Sequence, residues 1–148
     1  MKFKIKRIIV AFLVLCNFAA FSQISFGVSE KITNSWKFIL KDQEDFKNKA
    51  LDDESWQLVN VPHDWSIRGQ LSPTLASATG YLPGGIAWYR KTIEVPENKK
   101  GQKVFLYFEG VYNRSEVFVN GMSLGKRPNG YISFAYDATP YITYGEKN

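Results

Sequence analysis

Between Gly80 and Thr139 the chain alternates short runs rich in β-branched and aromatic residues with turn residues, at intervals too short for helices. Four runs read as strands: residues 87–95, 103–110, 114–120 and 131–137. In the first, Ile93 and Val95 alternate with Thr92 and Glu94, which leaves one wet face. The second, VFLYFEG, is apolar on both faces for most of its length and predicts a central strand covered on both sides. Asn120-Gly121 is the pair that a type I′ hairpin prefers, because both central residues of that turn need a positive φ. It joins EVFV to a short return strand, MSLGKR. Short strands with frequent turns and hardly any helix predict an all-β, antiparallel β-sandwich.

Upstream, residues 35–41 place Trp36, Phe38 and Leu40 on one face and Lys37 and Lys41 on the other, a half-buried strand in which Ile39 interrupts the polar face. Residues 42–55 are charged, with Phe46, Ala50 and Leu51 spaced for a helical turn or two, and read as a surface excursion. Residues 56–61 read as extended, since Pro62 biases Val61 away from helix. Residues 66–82 have loop chemistry over a length that is uncommon unless the loop has a role, and Pro83-Gly84-Gly85 closes them with a turn. The alternation predicts that Trp36, Phe38, Leu106, Phe108, Val117 and Val119 point into one sandwich core.

The isoelectric point of about 9.3 suggests nucleic acid until the charges are located. Four of the 19 basic residues, Lys2, Lys4, Lys6 and Arg7, precede an apolar run over residues 8–21, which leaves 15 against 14 acidic residues in the rest. A nearly neutral body removes the warrant for nucleic acid. The cationic start, short apolar run and small residues Ala20 and Ser22 form a secretory signal, predicted to be helical over residues 1–22 and cleaved between Ser22 and Gln23. The run is short for a membrane span, so export to the periplasm or beyond is the expectation, with no membrane attachment after cleavage. Lipid attachment at Cys16, the only cysteine, is the weaker alternative, because Leu15 precedes it where a small residue belongs. Residues 23–32 then form a connector and residues 33–148 the domain.

Candidate chemistry is sparse. Hydrolysis by paired carboxyl groups needs two of them facing each other. Glu94 lies on a wet strand face, Glu97 in a charged turn and Glu116 beside Arg114 in a hairpin, all contexts of solvated or paired carboxylates. His63 is the only histidine, so no metal site and no cofactor is implied. Ser66, His63 and Asp64 stand too close in sequence for a catalytic triad, and no nucleophile elbow is present. His63, Asp64 and Trp65 remain as candidates for a sugar-binding rim: a carboxylate accepts hydrogen bonds from hydroxyls, and an indole offers a flat apolar face to a sugar ring. Against this, Trp65 suits a plug at the sandwich edge and Asp64 a turn cap after Pro62. Trp88 and Arg90 share one side of their strand and Tyr89 the other, which fits core packing better than an exposed platform.

Trp56, the run VPHDW at residues 61–65 and the block from GYLPGGIAWYRK through GVYNRSEVFVNG to FAYDAT resemble the N-terminal sugar-binding domain of glycoside hydrolase family 2, in its β-galactosidase-like branch. The resemblance covers roughly residues 33–148. It implies a jelly-roll-like, galactose-binding-domain-like sandwich, incomplete at its C-terminal end, where a closing strand would follow. It also implies a parent enzyme, a retaining exo-glycosidase whose catalytic glutamates lie in a later barrel, with a β-galactoside-type carbohydrate as partner and the missing C-terminal domains as neighbours. On that reading this stretch alone is inactive, and loops such as the one carrying His63, Asp64 and Trp65 can edge the parent's pocket. A stand-alone carbohydrate-binding or adhesion module, or part of a β-glucuronidase or β-mannosidase, is the alternative.

Overall fold

The computed structural model describes residues 27–148, so the expected signal helix and its cleavage point lie outside the described residues. Residues 27–32 belong to a separate first unit and carry no helix or strand. The domain proper is the unit Thr33–Asn148, all-β with antiparallel pairing throughout. Its strands are β1 (Trp36–Ile39), β2 (Gln57–Val59), β3 (Trp88–Arg90), β4 (Phe105–Phe108), β5 (Ser115–Val119), β6 (Met122–Arg127) and β7 (Phe134–Asp137), with short 3-10 turns between them. They pair as β2-β1-β3, β4-β7 and β5-β6. All seven fall inside runs expected from the sequence.

Register explains the side-chain layout. Phe38 lies opposite Tyr89, while Ile39 lies opposite Trp88 and Lys37 opposite Arg90, so the β1–β3 pair has two distinct faces. On one, Phe38 is buried against the rings of Tyr89 and His63, at 5.0 and 4.9 Å between centroids. On the other, Trp88 stacks on Phe118 of β5 at 5.5 Å and meets Phe46 edge-on at 5.9 Å. Ile39 interrupts the polar alternation of β1 because it belongs to this second, covered face. Of the six residues expected in the core, Phe38 and Val119 are buried and Trp36, Leu106, Phe108 and Val117 half-buried. Phe118, between Val117 and Val119, is the residue that stacks on Trp88.

Residues 42–55 also differ from a surface excursion. Phe46, in the 3-10 turn Glu44–Lys47, is buried and packs on buried Trp56 at 4.8 Å. Trp88 Nε1 donates to Asp42 Oδ1 at 2.9 Å, and the Arg90 guanidinium holds the rest of the segment. Its Nε donates to Asp53 Oδ2 at 3.0 Å, Nη1 to the carbonyls of Phe46 and Asn48 at 2.7 and 3.0 Å, and Nη2 to that of Lys49 at 3.4 Å. The same group lies 5.9 Å over the Trp56 ring. No backbone ladder holds this strap, so a planar fork of donors supplies the missing partners for its carbonyls.

β4 departs from the expected doubly covered strand. Leu106 and Phe108 are half-buried, and Phe108 stacks on its register partner Phe134 at 5.0 Å. Phe105 and Tyr107, on the other face, are exposed, at 42 and 64%. The hairpin is as expected: Asn120 and Gly121 have φ of 50 and 84°. A bulge then shifts the β5–β6 register between Val117 and Phe118. The Asn120 side chain also donates to the Tyr141 carbonyl and to Asn148 Oδ1, tying the hairpin tip to residues 141–148. That segment runs beside Ile93, whose N–H and carbonyl both bond Asn148.

Two outcomes follow from this arrangement. Arg90→Lys keeps the charge and loses the fork, so it lowers the unfolding free energy by about 2 to 4 kcal/mol, measured in urea, and costs more than Asp53→Asn, which removes only one partner. Asp137 accepts from Lys103 Nζ at 2.7 Å and from the Thr139 N–H at 3.0 Å. These bonds, led by the lysine, hold its carboxyl down at about 2, below the ordinary 3.8. A depressed folded-state value gives a contribution that is complete above the ordinary carboxylate range and is lost as pH falls through about 2. Acid titration of stability therefore falls more steeply for the wild type than for Asp137→Asn between about pH 4 and 2.

Candidate functional site

Pro62 follows a cis peptide and turns the chain out of β2 into residues 63–65, which the sequence marks as the sugar rim. The three side chains do not converge on one space. His63 turns inward and is half-buried, with Nδ1 2.9 Å from the Tyr89 hydroxyl. Its Nε2 is closed off from solvent and has no partner, so neither ring nitrogen is presented outward. Burial, and then the Asp64 charge, push the Tyr89 phenol up from 10.0, which keeps its proton in place for this hydrogen bond. His63 thus acts as an internal strut between the chain after β2 and the face of β3.

Asp64 is exposed, and its Oδ1 accepts the Ser66 N–H at 3.0 Å, an Asx turn that starts the 3-10 turn Ser66–Arg68. One carboxylate oxygen is committed to the loop and the other is not bonded. Trp65 is half-buried beside Gly85: a side chain there would come within 3.7 Å of its ring, and Gly85 has a φ of 159°. Of the three candidates, Asp64 is the exposed one, and its second carboxylate oxygen is not bonded. The adjoining loop exposes Ile67, Leu71, Tyr81 and Ile86, apolar side chains that the sequence reading passed over. A count of aliphatic residues within the polar stretch 66–86 was the available signal.

The expectations for Trp88, Tyr89 and Arg90 hold, since all three are half-buried and engaged inside the domain. The carboxylates are occupied as follows: Glu116 bonds Ser123 Oγ and pairs with Lys126, Glu97 pairs with Lys100, and Asp53 and Asp137 have the partners described above. Among the described residues no charged or polar side chain is buried, no acidic, histidine or cysteine cluster suits a metal ion, and no helix is long and apolar enough to cross a membrane.

The family described as glycosyl hydrolases family 2, sugar binding domain, matches residues 29–148, and the chain belongs to that family. It is 47% identical over 115 residues to the beta-galactosidase BoGH2A of Bacteroides ovatus, covering 76% of this chain and 14% of that protein. It is 32% identical over 148 residues to a beta-glucuronidase of Formosa agariphila, covering 91% of this chain and 15% of that one. Among solved structures, a beta-glycosidase from Bacteroides vulgatus superposes with a TM-score of 0.76 at 46% identity, over 82% of this chain and 16% of that chain. The chain thus spans about a seventh of the length of these relatives.

Tyr89→Phe removes the partner of His63 Nδ1 and leaves a second polar atom of that ring unpaired. It destabilises the domain by about 1 to 3 kcal/mol in urea unfolding, whereas Asp64→Ala, at an exposed turn, costs about 1 kcal/mol or less.

Proposed function

We propose that this chain is the sugar-binding accessory domain of a longer, exported glycosidase that hydrolyses terminal β-galactosides with retention. The observation that carries the reading is the disparity in coverage: relatives match over three quarters or more of this chain and over about a seventh of themselves. The side chains support an accessory role. A general acid for glycoside cleavage needs a carboxyl held protonated by apolar surroundings, and no carboxylate among the described residues is buried. The exposed Ile67, Leu71, Tyr81 and Ile86 give the loop beside Asp64 the apolar character of a surface that packs against another domain. On this reading the loop borders the parent's pocket, and the free oxygen of Asp64 accepts a hydrogen bond from a substrate hydroxyl. The galactoside preference rests on PHDW followed by GYLPGGIAWYRK and on the likeness to BoGH2A. Export rests on the leader, with residues 1–22 removed, a connector over 23–32 and the sandwich over 33–148.

The test is turnover of a chromogenic β-galactoside and a chromogenic β-glucuronide by the longer protein and by the 148-residue chain. The longer protein cleaves the galactoside with retained anomeric configuration and begins at Gln23 on N-terminal sequencing, and the 148-residue chain cleaves neither. Asp64→Ala in the longer protein lowers kcat/KM by an amount equivalent to about 1 to 3 kcal/mol. Turnover by the 148-residue chain overturns the accessory role, and preference for the glucuronide overturns the substrate.

A further inference from the structure

The chain contains the dipeptide Asn-Gly twice, at Asn120-Gly121 and at Asn129-Gly130. This pair is the most reactive context an asparagine has, because a glycine nitrogen with no side chain beside it is the least hindered nucleophile for the asparagine's own carboxamide. Attack closes a cyclic imide and expels ammonia. The fold places the two copies in opposite surroundings.

Asn129 is exposed in the connection between β6 and β7. Its Oδ1 accepts the Tyr131 N–H at 2.8 Å. That bond closes a ring containing both Asn129 Cγ and the Gly130 nitrogen, so electrophile and nucleophile are folded toward each other before any reaction. Oδ1 is also the oxygen that takes the negative charge when the nitrogen adds to Cγ, and an N–H donor already stands on it. Among the described residues nothing accepts from the Gly130 N–H or from Asn129 Nδ2, so neither loss of the proton nor departure of the amide breaks a contact. A side chain at Gly130 would lie 2.7 Å from Tyr112 Cδ2 and 2.8 Å from its Cα. Packing therefore demands glycine at this position and keeps the reactive pair in the sequence.

At Asn120 the corresponding atoms are locked. Nδ2 donates to the Tyr141 carbonyl at 2.8 Å and to Asn148 Oδ1 at 2.9 Å, so departure of this amide breaks two hydrogen bonds. Oδ1 is closed off from solvent and has no partner, and a charge developing there meets neither a donor nor water. The residue is half-buried and its φ of 50° is set by the hairpin turn.

We propose that Asn129-Gly130 is a site of spontaneous deamidation in the folded domain and that the fold protects Asn120-Gly121 from the same reaction. The Gly130 nitrogen gives its proton to water and bonds to Asn129 Cγ, and the side-chain nitrogen takes up a proton and leaves as ammonia. Water then opens the imide at either carbonyl, which yields aspartate or isoaspartate at position 129 with no oxidant or reductant. Either product puts a carboxylate two positions from Arg127. Isoaspartate also inserts an extra carbon into the main chain between β6 and β7. This chemistry needs neither a sugar nor a longer protein, so it stands or falls apart from the proposed function.

The test is peptide mapping by mass spectrometry after incubation of the 148-residue chain at mildly alkaline pH, folded and in guanidinium chloride. Trypsin cuts after Arg114 and Lys126, which puts the two asparagines in separate peptides, residues 115–126 and 127–147. In the denaturant both convert at similar rates. Folding slows conversion at Asn120 by roughly tenfold or more, the effect of breaking at least one net hydrogen bond on the way to the imide, and leaves Asn129 within roughly threefold of its unfolded rate. In the folded chain, enzymatic methyl labelling of isoaspartate falls on the 127–147 peptide and is lost in Asn129→Gln, whose larger imide forms far more slowly. Asn148→Ala takes one acceptor from the Asn120 amide, and it speeds conversion at Asn120 severalfold without changing Asn129. Three results each overturn the proposal: Asn120 converting as fast as Asn129 in the folded chain, folding that slows both sites alike, or an unchanged rate at Asn120 in Asn148→Ala.

Discussion

The Arg90 guanidinium is the point on which the first half of the domain depends. β1 and β2 are four and three residues long, and ladders that short supply few hydrogen bonds. The chain between them, residues 42–55, has a 3-10 turn and carbonyls with no strand partner. Arg90 takes three of those carbonyls and the Asp53 carboxylate at once, from a backbone already fixed in β3 by its pairing with Lys37. The strap then carries Phe46 into contact with Trp56 and Trp88, and Trp88 in turn stacks on Phe118 of the β5–β6 hairpin. A single polar hub thus positions the aromatic chain that joins one sheet to another. An isolated lysine, a point charge with no plane, has no equivalent way to serve four acceptors in different directions.

The other face of β3 shows the same economy of parts. Tyr89 points away from Arg90, as period-2 geometry requires, and meets both Phe38 and His63. A polar pair at the edge of an aromatic cluster fixes orientation where apolar packing alone allows several. His63 in this way ties the chain after β2 to the face of β3. Asp64, one position on, is released to the surface by the same turn and keeps an oxygen free.

Much of this was legible in the sequence, because strand period, turn pairs and the opposition of Trp88 and Arg90 to Tyr89 are local rules. The Asn120-Gly121 hairpin, the seven strands and the alternation of exposed Thr92 and Glu94 with half-buried Ile93 and Val95 follow from residues within a few positions of one another. What local rules missed was non-local. Residues 42–55 look like a surface loop because their charge is visible and the arginine that organises them is some forty residues away. VFLYFEG looks doubly buried because hydrophobicity reports what a strand can cover and says nothing of whether a layer is there, and Phe105 and Tyr107 face outward. His63, Asp64 and Trp65 look like one cluster because they are adjacent, whereas consecutive side chains in a turn diverge. Tyr112 and Tyr131, nineteen positions apart on two connections, meet at 5.3 Å between ring centroids, and no spacing rule links them.

The exposed apolar residues of the domain fall into chemically different groups, and the difference bears on what covers each. Ile67, Leu71 and Ile86 are aliphatic, without donors or acceptors at their tips, and they lie on a long loop. Such a surface gains by excluding water against another protein surface and gives a sugar nothing to orient it. Phe105 and Tyr107 stand on a regular strand, where side chains on one face form a flat patch suited to a second layer. Tyr112 and Tyr131 differ from both, since their rings meet at an angle, their hydroxyls remain polar and amides flank them. Shape and polarity thus separate the aliphatic loop surface from the flat aromatic face of β4 and from the angled tyrosine pair.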